Sequence, residues 1–362
     1  MGEPGSVVPV DLVLHLGPGK TGTTTIQRML RQHRAELARQ GVLYPVSPGQ
    51  ERHTKFGLSF RGDAELAKQP AWSRMRPQSP ERFRRRVHRL LRAEIAEAGL
   101  PCVLISDEAL FNLGRDALER LRRFTDSVGA RVRPVVYLRR QDDHLLSLYQ
   151  QQVKIGETRR LTEWAAGDRT RIYDYARRLA DWRDVVFPST FAVRRFEPSA
   201  FRGGSLEADF LAAAKVSGIT PSVTARSNES LDAETVEFLR VFNLYEVERH
   251  GESPGVMDHR HLTSALAGHS DGPTLTLPPA QLESFMARWQ EPNERVAREH
   301  FGEPELFPAP RRTRTTTHLQ VLDPARVDHF ADLCGLPEAV REDLRSIAAR
   351  EAQSFAARSS GR

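Results

Sequence analysis

Apolar and polar positions along the chain fall into two alternating patterns. Val10–Leu16, Cys102–Ser106, Val132–Leu138 and Thr190–Phe196 are short apolar runs with few polar breaks. Such runs predict strands buried on both faces, as in a parallel sheet. Helical patterns separate them. Thr24–Gln40 sets Ile26, Met29, Leu30, His33 and Leu37 on one stripe, and Gly41 follows as a C′ residue. Asp142–Val153 and Leu161–Arg183 predict further helices, the second amphipathic through Trp164, Ile172, Tyr175, Leu179 and Trp182. Strands alternating with helices imply an α/β fold with a doubly wound parallel sheet. Ligands of such sheets sit at the carboxyl ends of the strands.

An insert of about residues 46–100 separates the first helix from the next long strand, with eight arginines between Arg74 and Arg92. Such a run reads as a solvated helix face or as the lining of a groove for an acidic saccharide. After about Ser222 the pattern turns mainly helical, with Leu231–Tyr245, Pro279–Phe301 and Pro324–Arg358 as candidates. Loops rich in Pro, Gly and Arg interrupt it at Gly251–Pro278 and Glu303–Thr317. The expected organisation is an α/β core over residues 8–222, with a helical C-terminal lobe over 223–362 packed on it.

Composition narrows the function classes. With 39% hydrophobic and 28% charged residues the chain reads as soluble and globular. Cys102 and Cys334 are its only cysteines, too few for a disulfide framework and without zinc spacing. A cytoplasmic setting is expected, since no signal peptide and no apolar run long enough to span a membrane is seen. MGEPGS fits the permissive myristoylation pattern in form only. The net charge of +6 favours anionic ligands. Because 48 of the basic residues are arginines and only five are lysines, each lysine position is informative.

One of those lysines lies in LVLHLGPGKTGTTTIQRML, Leu12–Leu30. A nucleotide-binding P-loop requires G-x-x-x-x-G-K-[ST], whose first glycine lets the chain wrap a β-phosphate. Gly19-Lys20-Thr21 is present, but Leu14 stands five positions before Gly19, inside the strand. The loop is too short to cradle a triphosphate. It retains the N–H groups of Lys20–Thr24 at a helix start, the Lys20 charge, Gly22, and the hydroxyls of Thr21, Thr23, Thr24 and Thr25, which together suit an anion. A second phosphate grip is read from VVYLRRQDDHLLSLYQQQVK, Val135–Lys154. Arg139 closes a strand there, and Ser147, eight residues on, lies two turns along the next helix.

GPGKTGTTTIQ resembles the 5′-phosphosulfate loop of sulfotransferases that use 3′-phosphoadenosine 5′-phosphosulfate (PAPS), whose core pattern is K-[TS]-G-T-[ST]. Arg139 and Ser147 are similar to the pair that grips the 3′-phosphate in those enzymes. Arg195-Phe196-Glu197, Gly203-Gly204 and Asp209-Phe210-Leu211 resemble the R-[PY]-[FY]-E, GG and DFL segments of a bacterial-type family within that superfamily. Asn228-Glu229-Ser230-Leu231 resembles its NESL segment, and Gln290–Gly302 its late helix. The resemblance implies PAPS as co-substrate and 3′,5′-ADP (PAP) as product. It places Gly19–Thr25, Arg139 and Ser147 around the cofactor, with Lys20 at the bridging oxygen of the bond that breaks. No metal is required, and no metal-ligand spacing occurs. A carbohydrate or other small-molecule hydroxyl, or an amine, is the implied acceptor; nucleic acid is not an expected partner, and the oligomeric state is open.

Such a transfer also needs a general base for the acceptor proton. The segment GVLYPVSPGQERHTK after the first helix offers Glu51 and His53, and His53 is favoured for its ordinary pKa near 6.5. Glu108, in LISDEAL after the second long strand, is the rival. A P-loop kinase or NTPase is the competing enzyme class. A protein that only binds anions or nucleic acid is the non-enzymatic one.

Overall fold

The computed structural model describes residues 9–75, 79–221, 231–252, 257, 259–307 and 315–360. The MGEPGS motif and Asn228-Glu229-Ser230 lie outside these residues, as do Arg76 of the arginine run and Arg311–Arg314.

Five parallel strands form one sheet: β1 Val10–His15, β2 Val42–Leu43, β3 Cys102–Ser106, β4 Ala130–Leu138 and β5 Ala192–Arg195, in the order β2-β3-β1-β4-β5. β1 is central, with His15 level with Ser106 on one side and Val135 on the other. Val13, Leu104, Val135 and Tyr137 are buried with Ile26, Leu30, Leu37 and Phe210 in one apolar cluster. The connections after β1 and β3 leave in opposite directions, toward β2 and β4 respectively. The carboxyl ends of these two neighbours therefore form the crevice where such sheets bind ligands.

The four apolar runs of the sequence are β1, β3, β4 and β5. β2, only two residues long, left no readable pattern. Helices were more often broken than expected. The Thr24–Gln40 stripe is helix α1, Thr23–Gln32, followed after His33 by a second helix, Arg34–Arg39. Leu161–Arg183 is three helices, Leu161–Ala165, Thr170–Tyr173 and Tyr175–Val186, the last capped by Asp174. Pro279–Phe301 divides into Pro279–Ala287 and Gln290–Phe301. Pro324–Arg358 breaks near Gly335, whose φ of +64° is left-handed, before a long helix at Glu338–Ser360.

By contacts the chain forms two compact units. The first is Met1–Arg139, Thr170–Ala225 and Glu291–Phe307; the second is Arg140–Arg169, Arg226–Gln290 and Pro308–Arg362. This grouping differs from the expected single boundary at 222. The Gln141–Val153 helix belongs with the later helices because Gln150 donates to Leu231 O (2.9 Å) and Asn243 Nδ2 to Val153 O (2.8 Å).

The first unit holds the sheet. Its insert contains the Pro80–Ala98 helix, which buries Val87 and Leu91 and turns much of its arginine-rich surface outward. The second unit is mainly helical. Its core stacks Phe238 on Phe330 and encloses a charged knot, in which Arg240 pairs with Glu237 (2.8 Å) and Glu351 (2.9 Å), and Arg160 with Glu351 (2.9 Å). Among the described residues no helix is long and apolar enough to cross a membrane.

Candidate active site

The loop between β1 and α1 is built by alternating backbone hands. Lys20 (φ +66°) and Gly22 (φ +73°) are left-handed, and Gly22 is the N-cap of α1. Alternating left- and right-handed residues turn successive N–H groups toward one concave side. The first pairing of the helix is Ile26 N to Gly22 O (3.2 Å), so Thr23–Thr25 present their N–H groups at its positive end. No acidic residue occupies this first turn, where a fixed negative charge would oppose a bound anion. The arrangement fits an anion.

The threonines divide their work differently from the sequence reading. Thr21 is buried and donates to Pro18 O (2.6 Å), closing the loop on itself. Thr23, also buried, donates to Glu108 Oε1 (2.5 Å). Thr24 is exposed and Thr25 half-buried. The space of the missing Gly22 Cβ is filled by protein. A Cβ there would stand 2.1 Å from Leu206 Cδ2 and 3.2 Å from Phe196 Cε2.

Two strand ends brace this loop. From β4, Arg139 Nη1 donates to Lys20 O (2.9 Å) while Tyr175 donates to Arg139 O (2.7 Å). The Arg139 guanidinium lies 5.7 Å from the centre of the Phe196 ring. From β3, Glu108 lies against Gly19, where a Cβ would come within 3.0 Å of its Oε2. Arg52 bridges the acidic pair, 3.1 Å from Asp107 Oδ1 and 3.5 Å from Glu108 Oε2.

Asp107 is wholly buried and also accepts from Gly57 N (3.1 Å) and Ala109 N (3.2 Å). Burial raises its carboxyl to about 6 against the pull of Arg52. Asp107 thus anchors the insert to β3 and leaves Glu108 as the carboxylate facing the loop.

His53 does not stand where a base would be needed. It is fully buried, its Nε2 lies 2.9 Å from Pro45 O, and its Nδ1 accepts from Ser106 N (3.1 Å). Both ring nitrogens are committed to backbone, leaving none for a substrate proton. Glu51 pairs with Arg31 (2.9 Å). Ser147 is half-buried on the Gln141–Val153 helix of the second unit, whereas Arg139 closes β4 in the first. Among the described residues no cluster of His, Cys, Asp and Glu is placed to hold a metal.

No protein-family model matches the chain. A similar protein is an uncharacterised one from Archaeoglobus fulgidus, 26% identical over 222 residues, which covers 57% of this chain and 55% of that protein. The chain spans about half the length of that relative. A crystal structure of a sulfotransferase from Alicyclobacillus acidocaldarius aligns at 18% identity over 67% of this chain and 94% of that one, with a TM-score of 0.39. The functional reading therefore rests on the site itself.

Sequence reasoning passed over Arg52, and it named Phe196 within the Arg195-Phe196-Glu197 resemblance without a place at the loop. The signal for Arg52 was its place in ERHTK, facing the acidic pair of LISDEAL, but only folding makes them neighbours. Beneath the loop, His15 Nδ1 lies 2.8 Å from Ser106 Oγ, and its buried Nε2 has no hydrogen-bond partner.

Burial lowers His15 and His53 to about 3 each. The unfolded chain takes up these protons near pH 6.5 and the native state does not. Their stabilising effect is complete above pH 6.5 and is lost as pH falls toward 3. Asp107 acts in the opposite sense between about pH 4 and 6, so the histidine effect is read from a difference. Urea midpoints of wild type should fall more between pH 7 and pH 5 than those of His53→Gln.

Proposed function

We propose that this chain is a sulfotransferase that moves a sulfuryl group from PAPS to a hydroxyl of a small-molecule acceptor. The observation that carries this reading is the β1–α1 loop, with its left-handed Lys20 and Gly22, braced by Arg139 from one side and faced by Glu108 from the other. When bound, PAPS supplies the activated sulfuryl group. The N–H groups of Thr21–Thr25 and the dipole of α1 hold the 5′-phosphate. Lys20 neutralises charge that develops on the bridging oxygen of the leaving group, and in-line attack needs that charge compensated. Arg139, with Ser147 as its partner by resemblance, binds the 3′-phosphate.

Glu108, in place of His53, takes the proton of the acceptor hydroxyl. Thr23 and Arg52 hold its two oxygens. A triphosphate is the poorer ligand, because the position where a P-loop carries its first glycine is Leu14, buried in β1.

Thermal unfolding with 3′,5′-ADP, with ATP–Mg²⁺ and without ligand tests the proposal. A ligand at about 100 times its Kd stabilises by about 2.7 kcal/mol. For a chain of this size that raises Tm by roughly 3–4 °C. The rise should come with 3′,5′-ADP and be lost in Arg139→Ala and Ser147→Ala. A rise with ATP–Mg²⁺ alone would overturn the proposal.

A further inference from the structure

The peptide that follows Glu108 is gripped by arginines that the reaction above leaves without a task. Arg61 Nη2 donates to Ala109 O (3.3 Å) and Arg171 Nη2 to Asn112 O (3.2 Å). Arg120 Nε donates to Phe60 O (2.6 Å), beside Arg61 in the chain. Two of these guanidiniums meet on one carboxylate, Glu65, which lies 2.9 Å from Arg171 and 3.9 Å from Arg61, and Arg120 lies beside them, its Nη2 3.9 Å from where a Cβ at Gly62 would stand. Burial alone would raise the Glu65 carboxyl. The Arg171 hydrogen bond and the charges of Arg171, Arg61 and Arg120 outweigh it and hold the group below its usual range.

Glu65 and the buried Asp107 are the carboxylates that favour the Arg61 charge, and Asp107 is already paired with Arg52. Arg61 is only 6% exposed, and its Nε is buried without a hydrogen-bond partner. Nearby, the buried Asn112 Oδ1 also lacks one. Burial and the adjacent Arg171 both work against the Arg61 charge, and its pKa is lowered. Bracing two loops would explain the bonds to carbonyls, which neutral side chains can also make. It does not explain a buried Arg61 Nε–H left without an acceptor beside two further cations, because an unpaired buried donor is costly.

We propose that Arg61, Arg120 and Arg171 form an acceptor subsite for a carboxylate or sulfate group, so that the acceptor is an anionic hydroxyl compound. Glu65 already demonstrates the chemistry the cluster takes. The subsite touches Ala109, and consecutive Cα atoms are about 3.8 Å apart. Arg61 thus holds the residue that follows Glu108 in the chain. Arg171 is 52% exposed on its side chain and Glu65 38%, so the cluster opens to solvent on that side. The naming of this acceptor class rests on the sulfuryl-transfer reading; the anion subsite itself does not.

The probes are 4-nitrophenyl β-D-glucuronide and 4-nitrophenyl β-D-glucoside, which differ only in the carboxylate. Titration calorimetry on the full chain, with 3′,5′-ADP present, should find the glucuronide bound about tenfold more tightly. Arg120→Gln and Arg171→Gln, at half-exposed positions, should abolish the preference, and Arg171→Lys should retain part of it. Stabilisation by 3′,5′-ADP should survive in all three. Equal affinity for the two probes, including no binding of either, overturns the subsite, as does a preference that persists in both glutamine variants. Absence of 3′,5′-ADP stabilisation in the wild type counts against the sulfotransferase reading alone, because the paired probes still report on the arginines.

Discussion

Lys20→Met should lower sulfuryl transfer from PAPS by roughly a thousandfold, the scale seen when one preorganised electrostatic group is removed from a reacting centre. Methionine preserves the length of the side chain and removes its charge. The left-handed φ of +66° at this residue remains a cost for either side chain, so the change isolates charge from backbone geometry. Binding of 3′,5′-ADP should weaken far less than turnover, because the loop N–H groups and Arg139 are untouched. Radiolabelled sulfate transfer, set beside the 3′,5′-ADP thermal shift, measures both. A Lys20→Met protein that turns over within tenfold of wild type would remove Lys20 from the chemistry. Glu108→Gln, in the same assay, should lose turnover with 3′,5′-ADP binding intact. It should also lose the dependence of rate on an ionised base, whereas Lys20→Met keeps it.

Gly22→Ala should cost about 3 kcal/mol of stability, lowering Tm by roughly 4 °C. Two causes add. The residue has a φ of +73°, where a Cβ meets steric strain, and the new methyl would fall 2.1 Å from Leu206 Cδ2. Leu206 cannot simply withdraw, being 9% exposed and packed in the cluster beneath the loop. Relief must come from movement of the loop itself, so the anion site should be lost along with stability. Leu206→Ala should cost less in the Gly22→Ala background than in wild type, because the added methyl fills part of the space vacated. A double-mutant cycle by urea unfolding reads this coupling. Additive costs would mean that Leu206 does not occupy the Gly22 surface.

The history of the general base separates what is legible in a chain from what is not. His53, in the segment after the first helix, and Glu108, after the second long strand, were both visible as candidate bases, and ordinary pKa values favoured the histidine. Those values assume water around the ring. Two partners remove that water, Pro45 eight positions away and Ser106 fifty-three, which take both ring nitrogens while burial keeps the ring neutral. Glu108 remains half-exposed because Asp107, one residue earlier, takes the buried position and the structural bonds. Alternation along β3 and the turn after it decide which of two adjacent acids faces inward, and no composition argument distinguishes them.

Gly22 follows the same logic. Its presence in KTGTTT was plain, but whether ligand or protein fills the missing side chain depends on Leu206, far along the sequence. What the sequence by itself determined is local. Four apolar runs specify four strands, and Lys20-Thr21-Gly22 before a helical stripe specifies a turn with N–H groups at a helix start, because strand burial and helix ends depend on near neighbours. Only the tertiary structure decided which carboxylate faces that turn, which threonines are spent on the fold, and that Arg61 and Arg171 meet at Glu65. Those outcomes depend on burial and on charges brought together from distant positions, and both quantities exist only once the chain has closed.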